Sequence, residues 1–374
     1  MKRIAIAGVG VLLMTGCGGR ANPLPGGSAY ASSALAPTLA AFGLADETSI
    51  LKLDKKQVVI GSTIDPKYHQ LNPYGLAVAS KTSGHLTKGD LVVCNFNDKQ
   101  NVQGTGFTVV ALHPAPGSKA RLIVADKKLT GCAALALDNL DTIWATAFSA
   151  NDDVAFSTQG VLQWDNGGKP FDRPWGQAGA PNPHLPDETF YESNAANGAI
   201  LKVVFDDGYH AVAIAKGFAV NHGKPGSIFA PAGLTYDRKG DVLYIADGTD
   251  NTVVAFSKVS TIKSHGIVVE AGGKTFEGPD ASHARLVFSG SPLNGPISMA
   301  LLPNHNLVIG NTGNASGTNL MVEITPAGKL LATRNVDKGA AGALFGIVAS
   351  GKTDSDTKIY FNDDNDNDLQ VLER

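Results

Sequence analysis

The chain has 374 residues, of which 43 are glycine and 17% are charged, and its 31 Lys plus Arg nearly balance 34 Asp plus Glu. That balance leaves no basic surplus to hold nucleic acid and no acidic surplus for a solvating tail. Abundant glycine, sparse charge and the lack of long helical periodicity after the first 45 residues exclude a helical bundle and favour short strands joined by tight turns.

The N-terminus carries an address. A short basic stretch, MKR, precedes the apolar run IAIAGVGVLLMTG, which is too short for a stable membrane span. The run ends in LMTGC, which resembles the lipobox of bacterial lipoprotein signal peptides, with Met14 where Leu is commonest. The resemblance implies removal of residues 1–16 and acylation of Cys17. Several acyl chains on one residue would give durable membrane attachment. Gly18 stands where many inner-membrane lipoproteins carry Asp, so the expected location is the outer membrane of a bacterial envelope, facing the periplasm or the surface. Residues 17–49 are rich in Gly, Ala, Ser and Pro and read as a flexible tether.

A folded domain is expected over residues 50–374. KQVVIGST (Lys56–Thr63) reads as a strand without a blade of its own, and two elements then recur. The first is a Pro, a variable residue, a small residue and an alternating strand, as in NPYGLAVA from Asn72, RPWGQAGA from Arg173, APAGLTYD from Ala230 and GPISMALL from Gly295. GCAALALD from Gly131 and ALFGIVAS from Ala343 complete the series without the Pro. The second is a strand ending in Asn or Asp, followed by a turn and another strand. LYIADGTDNTVVAF (Leu243–Phe256) and IYFNDDNDNDLQVL (Ile359–Leu372) align without a gap, and looser copies end at Asn95, Asn194 and Asn311. Asn and Asp bond to nearby backbone and tolerate left-handed geometry, so they suit the opening of a turn. Six copies at this spacing predict an all-β fold, a six-bladed β-propeller of four-stranded antiparallel blades.

PAGLTYDRKGDVLYIADGTDNTVVAF resembles the NHL repeat, although Thr252 and Asp368 stand where that family has His-Arg after the turn Asn. The resemblance spans about residues 57–374 and implies the same propeller. Outer strands precede the inner ones at ARLIVAD, HAVAIAK and ARLVFSG, whereas the last blade ends one strand short. Lys56–Thr63 is expected to supply that strand and close the ring. Small residues at Gly75, Ala134, Gly176, Gly233, Ser298 and Gly346 are expected to let the inner strands crowd around the axis.

In such a ring the turns after the second strands and the entries to the first strands share one face. Asn72, Asn95, Arg173, Asn194, Asp247, Asn311 and Asp363 are expected there, with Tyr74, Trp175 and Phe345 lining a funnel. An EF-hand reading of the last loop fails: Leu369 takes the glycine position and no twelfth ligand follows. A looser calcium site at Asp363, Asp364 and Asp366 stays open, and no other cofactor is expected. The nine His residues are scattered, and no Gly-x-Ser-x-Gly elbow occurs. Cys94 and Cys132 fall at one face of neighbouring blades, where they either pair or stay as buried thiols.

The expected function is binding or scaffolding: a lipid-anchored module whose Asn/Asp-rich face holds a protein, peptide or glycan of the envelope, with no nucleic-acid partner. The alternative is a metal-dependent lactonase-like hydrolase or lyase, with Asn194, Asp247 and Asp363 as a channel site, a reading that rests on fold analogy. Specificity is expected in the loop GGKPFDRPWGQAGAPNPHLPDETF and in a fifth-blade insert, EAGGKTFEGPDASHARL.

Overall fold

The structure is a computed structural model, and residues 47–179, 188–205, 208–221 and 229–374 are described. The signal segment, Cys17 and the tether up to residue 46 lie outside the described residues, as does part of the third-blade loop.

The first described element is a one-turn helix, α1 (Ile50–Leu53), capped by Ser49, whose Oγ accepts from the Lys52 N–H at 3.2 Å. The buried Glu323 carboxylate takes the free N–H groups of Ile50 (3.1 Å) and Leu51 (2.9 Å) and the Ser49 hydroxyl (2.6 Å). These are the donors a helix start leaves without partners. The fold is thus already anchored at Ser49.

After α1 comes β1 (Lys56–Ser62). Blade 1 is β2 (Leu71–Val78), β3 (Leu91–Asn97), β4 (Thr108–Leu112) and β5 (Arg121–Ala125). Blade 2 is β6 (Cys132–Leu137), β7 (Ile143–Ala147), β8 (Asp152–Phe156) and β9 (Leu162–Asp165). Blade 3 is β10 (Pro174–Gly179), β11 (Glu188–Asn194), β12 (Ile200–Phe205) and β13 (Tyr209–Lys216). Blade 4 starts with β14 (Pro231–Asp237), β15 (Val242–Asp247) and β16 (Thr252–Ser257). A hairpin, β17 (Ile267–Val269) and β18 (Phe276–Glu277), intervenes before its outer strand, β19 (Ala284–Ser289). Blade 5 is β20 (Pro296–Leu301), β21 (Leu307–Asn311), β22 (Asn319–Ile324) and β23 (Leu330–Asp337). Blade 6 is β24 (Ile347–Ser350), β25 (Lys358–Asp363) and β26 (Asp368–Glu373), completed by β1. The expected six-bladed β-propeller is therefore present, with β1 antiparallel to β26 from Lys56↔Glu373 to Ser62↔Asp368.

The second strands are largely apolar, because each faces a neighbouring blade on both sides; β11, with Thr189, Glu192, Ser193 and Asn194, is the polar exception. In β3, β7, β15, β21 and most of β25 every residue is buried. Six apolar clusters fill the six gaps between blades, for instance Val92, Val109, Leu135 and Phe156 between blades 1 and 2. The inner strands crowd as the small residues suggested: a Cβ on Gly75 would stand 2.7 Å from the Leu135 nitrogen, and one on Gly233 2.7 Å from the Ser298 carbonyl carbon.

Asn side chains also stitch blade to blade. Asn151, Asn251 and Asn367 sit in left-handed backbone (φ 61°, 53° and 52°) at turns between second and third strands. Their Oδ1 atoms accept from the N–H of Arg173 (2.7 Å), Gly295 (2.6 Å) and Asn72 (2.7 Å), each opening the inner strand of the next blade. Cys94 and Cys132 form a disulfide across blades 1 and 2, with Cα atoms 5.5 Å apart.

One expectation is corrected. The insert at residues 270–286 belongs to blade 4, between its third and outer strands. Its hairpin leaves that blade and lengthens blade 3, with β17 parallel to β13 (Ala215↔Ile267).

Candidate functional site: the central channel

The six inner strands enclose a cavity of about 480 Å³. Its middle is lined by Leu76, Leu135, Leu234, Met299 and Ile347, with Gln177 as the polar exception at this level. Two hydroxyls in the wall are turned to the protein: Ser298 Oγ donates to the Leu344 carbonyl at 2.7 Å and Tyr236 OH to Asp241 Oδ1 at 3.0 Å. Among the described residues that line the cavity there is no Asp, Glu, His, Lys, Arg or Cys. Val78, Leu137, Gly179, Leu301 and Ala349, where the inner strands finish, are part-exposed, while the middle is buried.

At the other end, where the inner strands begin, an aromatic plug fills the axis. Tyr74 stacks on Phe345 (4.1 Å between ring centres) and on Phe96 (4.3 Å), and meets Trp175 edge-on at 5.1 Å. Phe148 adds edge contacts to Phe96 and Trp175, and the Arg173 guanidinium lies over the Phe148 ring at 5.3 Å. Offset and edge-on pairs of this kind contribute beyond the area they bury. Tyr74, Trp175 and Phe345 do meet at one mouth, but they close it rather than line an open funnel. Burial raises the Tyr74 hydroxyl well above its ordinary value, with the Asp364 carboxylate adding to the effect.

The expected Asn and Asp residues also gather at this end. In four blades the register sets one of them opposite the Pro that opens the inner strand: Asn95 on Pro73, Asn194 on Pro174, Asp247 on Pro231 and Asn311 on Pro296. All are buried, as are Asn72 and Asp363; Asp247 and Asp363 hold their own turns, whereas Asn95, Asn194 and Asn311 bond to segments 13 to 32 residues away in the chain. Asn194 accepts from the Asp172 N–H at 3.1 Å and donates to the Pro170 carbonyl at 2.9 Å. Asn311 does the same with Asn294 (3.1 Å) and Pro292 (2.8 Å). Asn95 donates to the Thr63 carbonyl at 3.1 Å. Asp247 accepts from the Thr249 N–H and Asp363 from the Asn365 N–H, each at 3.0 Å.

The acidic loop brings together a set different from the expected Asp363, Asp364 and Asp366. Carboxylate oxygens of Asp337, Asp363 and Asp366 lie within 4.8 Å of one another. Asp337 is already engaged by the side-chain amides of Asn319 (2.8 Å) and Asn365 (2.5 Å). Asp337 was out of reach of the sequence argument because it belongs to the preceding blade.

Neither a family model nor a curated protein matches this chain in sequence. Solved structures do match in shape. The gluconolactonase XC5397 from Xanthomonas campestris has a TM-score of 0.57 at 12% identity, covering 85% of this chain and 89% of that one. A putative gluconolactonase gives 0.54 at 11% identity, with 85% and 91% covered. Virginiamycin B lyase from Staphylococcus aureus gives 0.50 at 13% identity, with 85% and 99% covered. At these identities the likeness is one of fold.

Buried carboxyls give the domain a pH dependence. Burial raises Asp247, Asp363 and Asp364 to about 7, with Asp337, Asp368 and Asp366 adding repulsion at Asp363, and it raises Asp368 and Asp54 to about 6. In the unfolded chain these groups titrate near 4. Between about pH 4 and 7 the folded state therefore binds more protons, and stability falls as pH rises through that window. The urea midpoint should be higher at pH 5 than at pH 8, and Asp364→Asn should flatten the difference. A midpoint that climbs from pH 5 to pH 8 would contradict this.

Proposed function

We propose that the protein is a binding module of the bacterial envelope, anchored through an acylated Cys17, whose ligand places an apolar portion in the central channel. One observation carries this reading: a cavity of about 480 Å³, within the range of small-molecule sites, has a closed floor and a wall in which apolar side chains alternate with polar backbone and side-chain groups. Such a wall gains free energy from any apolar group it removes from water, roughly 25 cal/mol per Å² before the costs of association. The channel is a better site than the Asn/Asp face, whose side chains are buried. The Cys94–Cys132 bridge supports an oxidising compartment, and the blades are read as NHL-like repeats.

A second reading, a metal-dependent lactonase or lyase, draws on the activities named for the structural neighbours. It requires a nucleophile, a base or a metal facing the channel, and among the described lining residues there is no Asp, Glu, His, Lys, Arg or Cys; the acids closest behind the wall, Asp153 and Glu192, reach it only through Gln177.

The test uses residues 47–374, a closed ring. The apolar dye N-phenylnaphthylamine should bind at one site and fluoresce, and Leu234→Asp, which puts a charge mid-channel, should weaken binding at least about tenfold with an unchanged circular dichroism spectrum. No saturable binding, or equal binding by the variant, would overturn the channel site. Lactone hydrolysis dependent on an added divalent metal would favour the enzyme.

For the anchor, Cys17→Ser in the full chain should abolish incorporation of labelled palmitate. Undiminished incorporation would overturn the lipidation proposal.

A further inference from the structure

Between blades 2 and 3, behind the channel wall, lies a polar group that the apolar packing around it does not require. Asp153 on β8 and Glu192 on β11 are both fully buried. Their neighbours in this interface are apolar: Trp144, Ala155 and Phe190. Gln177, on the inner strand β10, joins them, its amide nitrogen donating to Asp153 Oδ1 at 3.2 Å and to Glu192 Oε1 at 3.1 Å. The remaining oxygens, Asp153 Oδ2, Glu192 Oε2 and Gln177 Oε1, are buried without a hydrogen-bond partner. Among the described residues no Lys, Arg or His pairs with either carboxylate, and the nearest further charge is another acid, Asp152.

Two carboxylates held together away from water need compensation, because an unpaired buried charge is among the most expensive features a fold can carry. We propose that Asp153, Glu192 and Gln177 form an inter-blade site for a divalent hard cation. Three arguments lead there. The donor set is oxygen only, the preference of calcium and magnesium. A dication balances the two carboxylates, which no described side chain does. Finally, a single shared proton between Asp153 and Glu192 would leave one negative charge buried, whereas a dication against Asp153 Oδ2 and Glu192 Oε2 neutralises both carboxylates while the Gln177 amide nitrogen keeps its two hydrogen bonds. Gln177 also lines the channel, which gives the ion a route in. The ion would tie blade 2 to blade 3 as the disulfide ties blade 1 to blade 2.

The test is metal binding by residues 47–374 after dialysis against EDTA. Calcium, magnesium and manganese are added separately and followed by thermal melting and by metal analysis. The site predicts one bound ion per chain and a rise of about 5 °C in Tm at saturation with at least one of them. Glu192→Gln and Asp153→Asn remove the repulsion and should fold, yet lose both the bound ion and the rise. Asp366→Asn, in the separate acidic loop, should leave both intact. Protein that binds no ion and melts unchanged would overturn the proposal, and the acids would then hold protons. An ion lost in Asp366→Asn and kept in Glu192→Gln would also overturn it, by placing the ion in the acidic loop.

Discussion

Pairing of β1 with β26 is the contact on which the architecture rests. Six blades could stack as an open arc, with the first and last each presenting an unsatisfied face. Lys56–Ser62 prevents this by completing the sixth blade from the N-terminal side, after which the chain enters blade 1 directly. Ile60, Leu369 and Val371 then pack against Leu76, Leu91 and Val93 of blade 1 as one cluster. The exposed Lys56–Glu373 ion pair at 2.8 Å adds little to this. The closure is held by ladder bonds and apolar burial, and Glu323 reinforces it by fixing the turn of helix just upstream.

Closure also dictates the channel. Once the ring is complete, the inner strands must approach until backbone meets backbone, and glycines at Gly75 and Gly233 make that approach tolerable. The inner residues then have only the axis to fill. At the entry end large rings do so, giving the plug of Tyr74, Phe96, Phe345, Trp175 and Phe148; farther along, Leu76, Leu135 and Leu234 leave a cavity. The plug and the cavity are thus two outcomes of one geometry, decided by side-chain size.

Much of this was legible in the sequence because propeller blades repeat. The match of Asp247 with Asp363, and of Asn251 with Asn367, located equivalent turns without any knowledge of contacts. The missing last strand followed from counting. What escaped were contacts between blades. Tyr74, Trp175 and Phe345 were expected to line a funnel, and the structure packs them into a plug with Phe96 and Phe148, which were not joined to them because no local pattern ties residues in different blades. Their recurrence at similar positions near the ends of β3 and β7 was the available signal. Asp153 and Glu192 lie in different blades too, and only a carboxylate in a strand otherwise buried hinted at them. The blade-4 hairpin was misassigned because it crosses to blade 3, which strict repetition does not anticipate.

The direct test of this account is urea unfolding of a chain that starts at Thr63, compared with one that starts at Glu47. If β1 closes the ring, the shorter chain loses the single cooperative transition and its midpoint falls sharply, with fast hydrogen exchange at β26. Equal midpoints and equal protection of β26 would show that the ring holds without its closing strand, and would contradict the account.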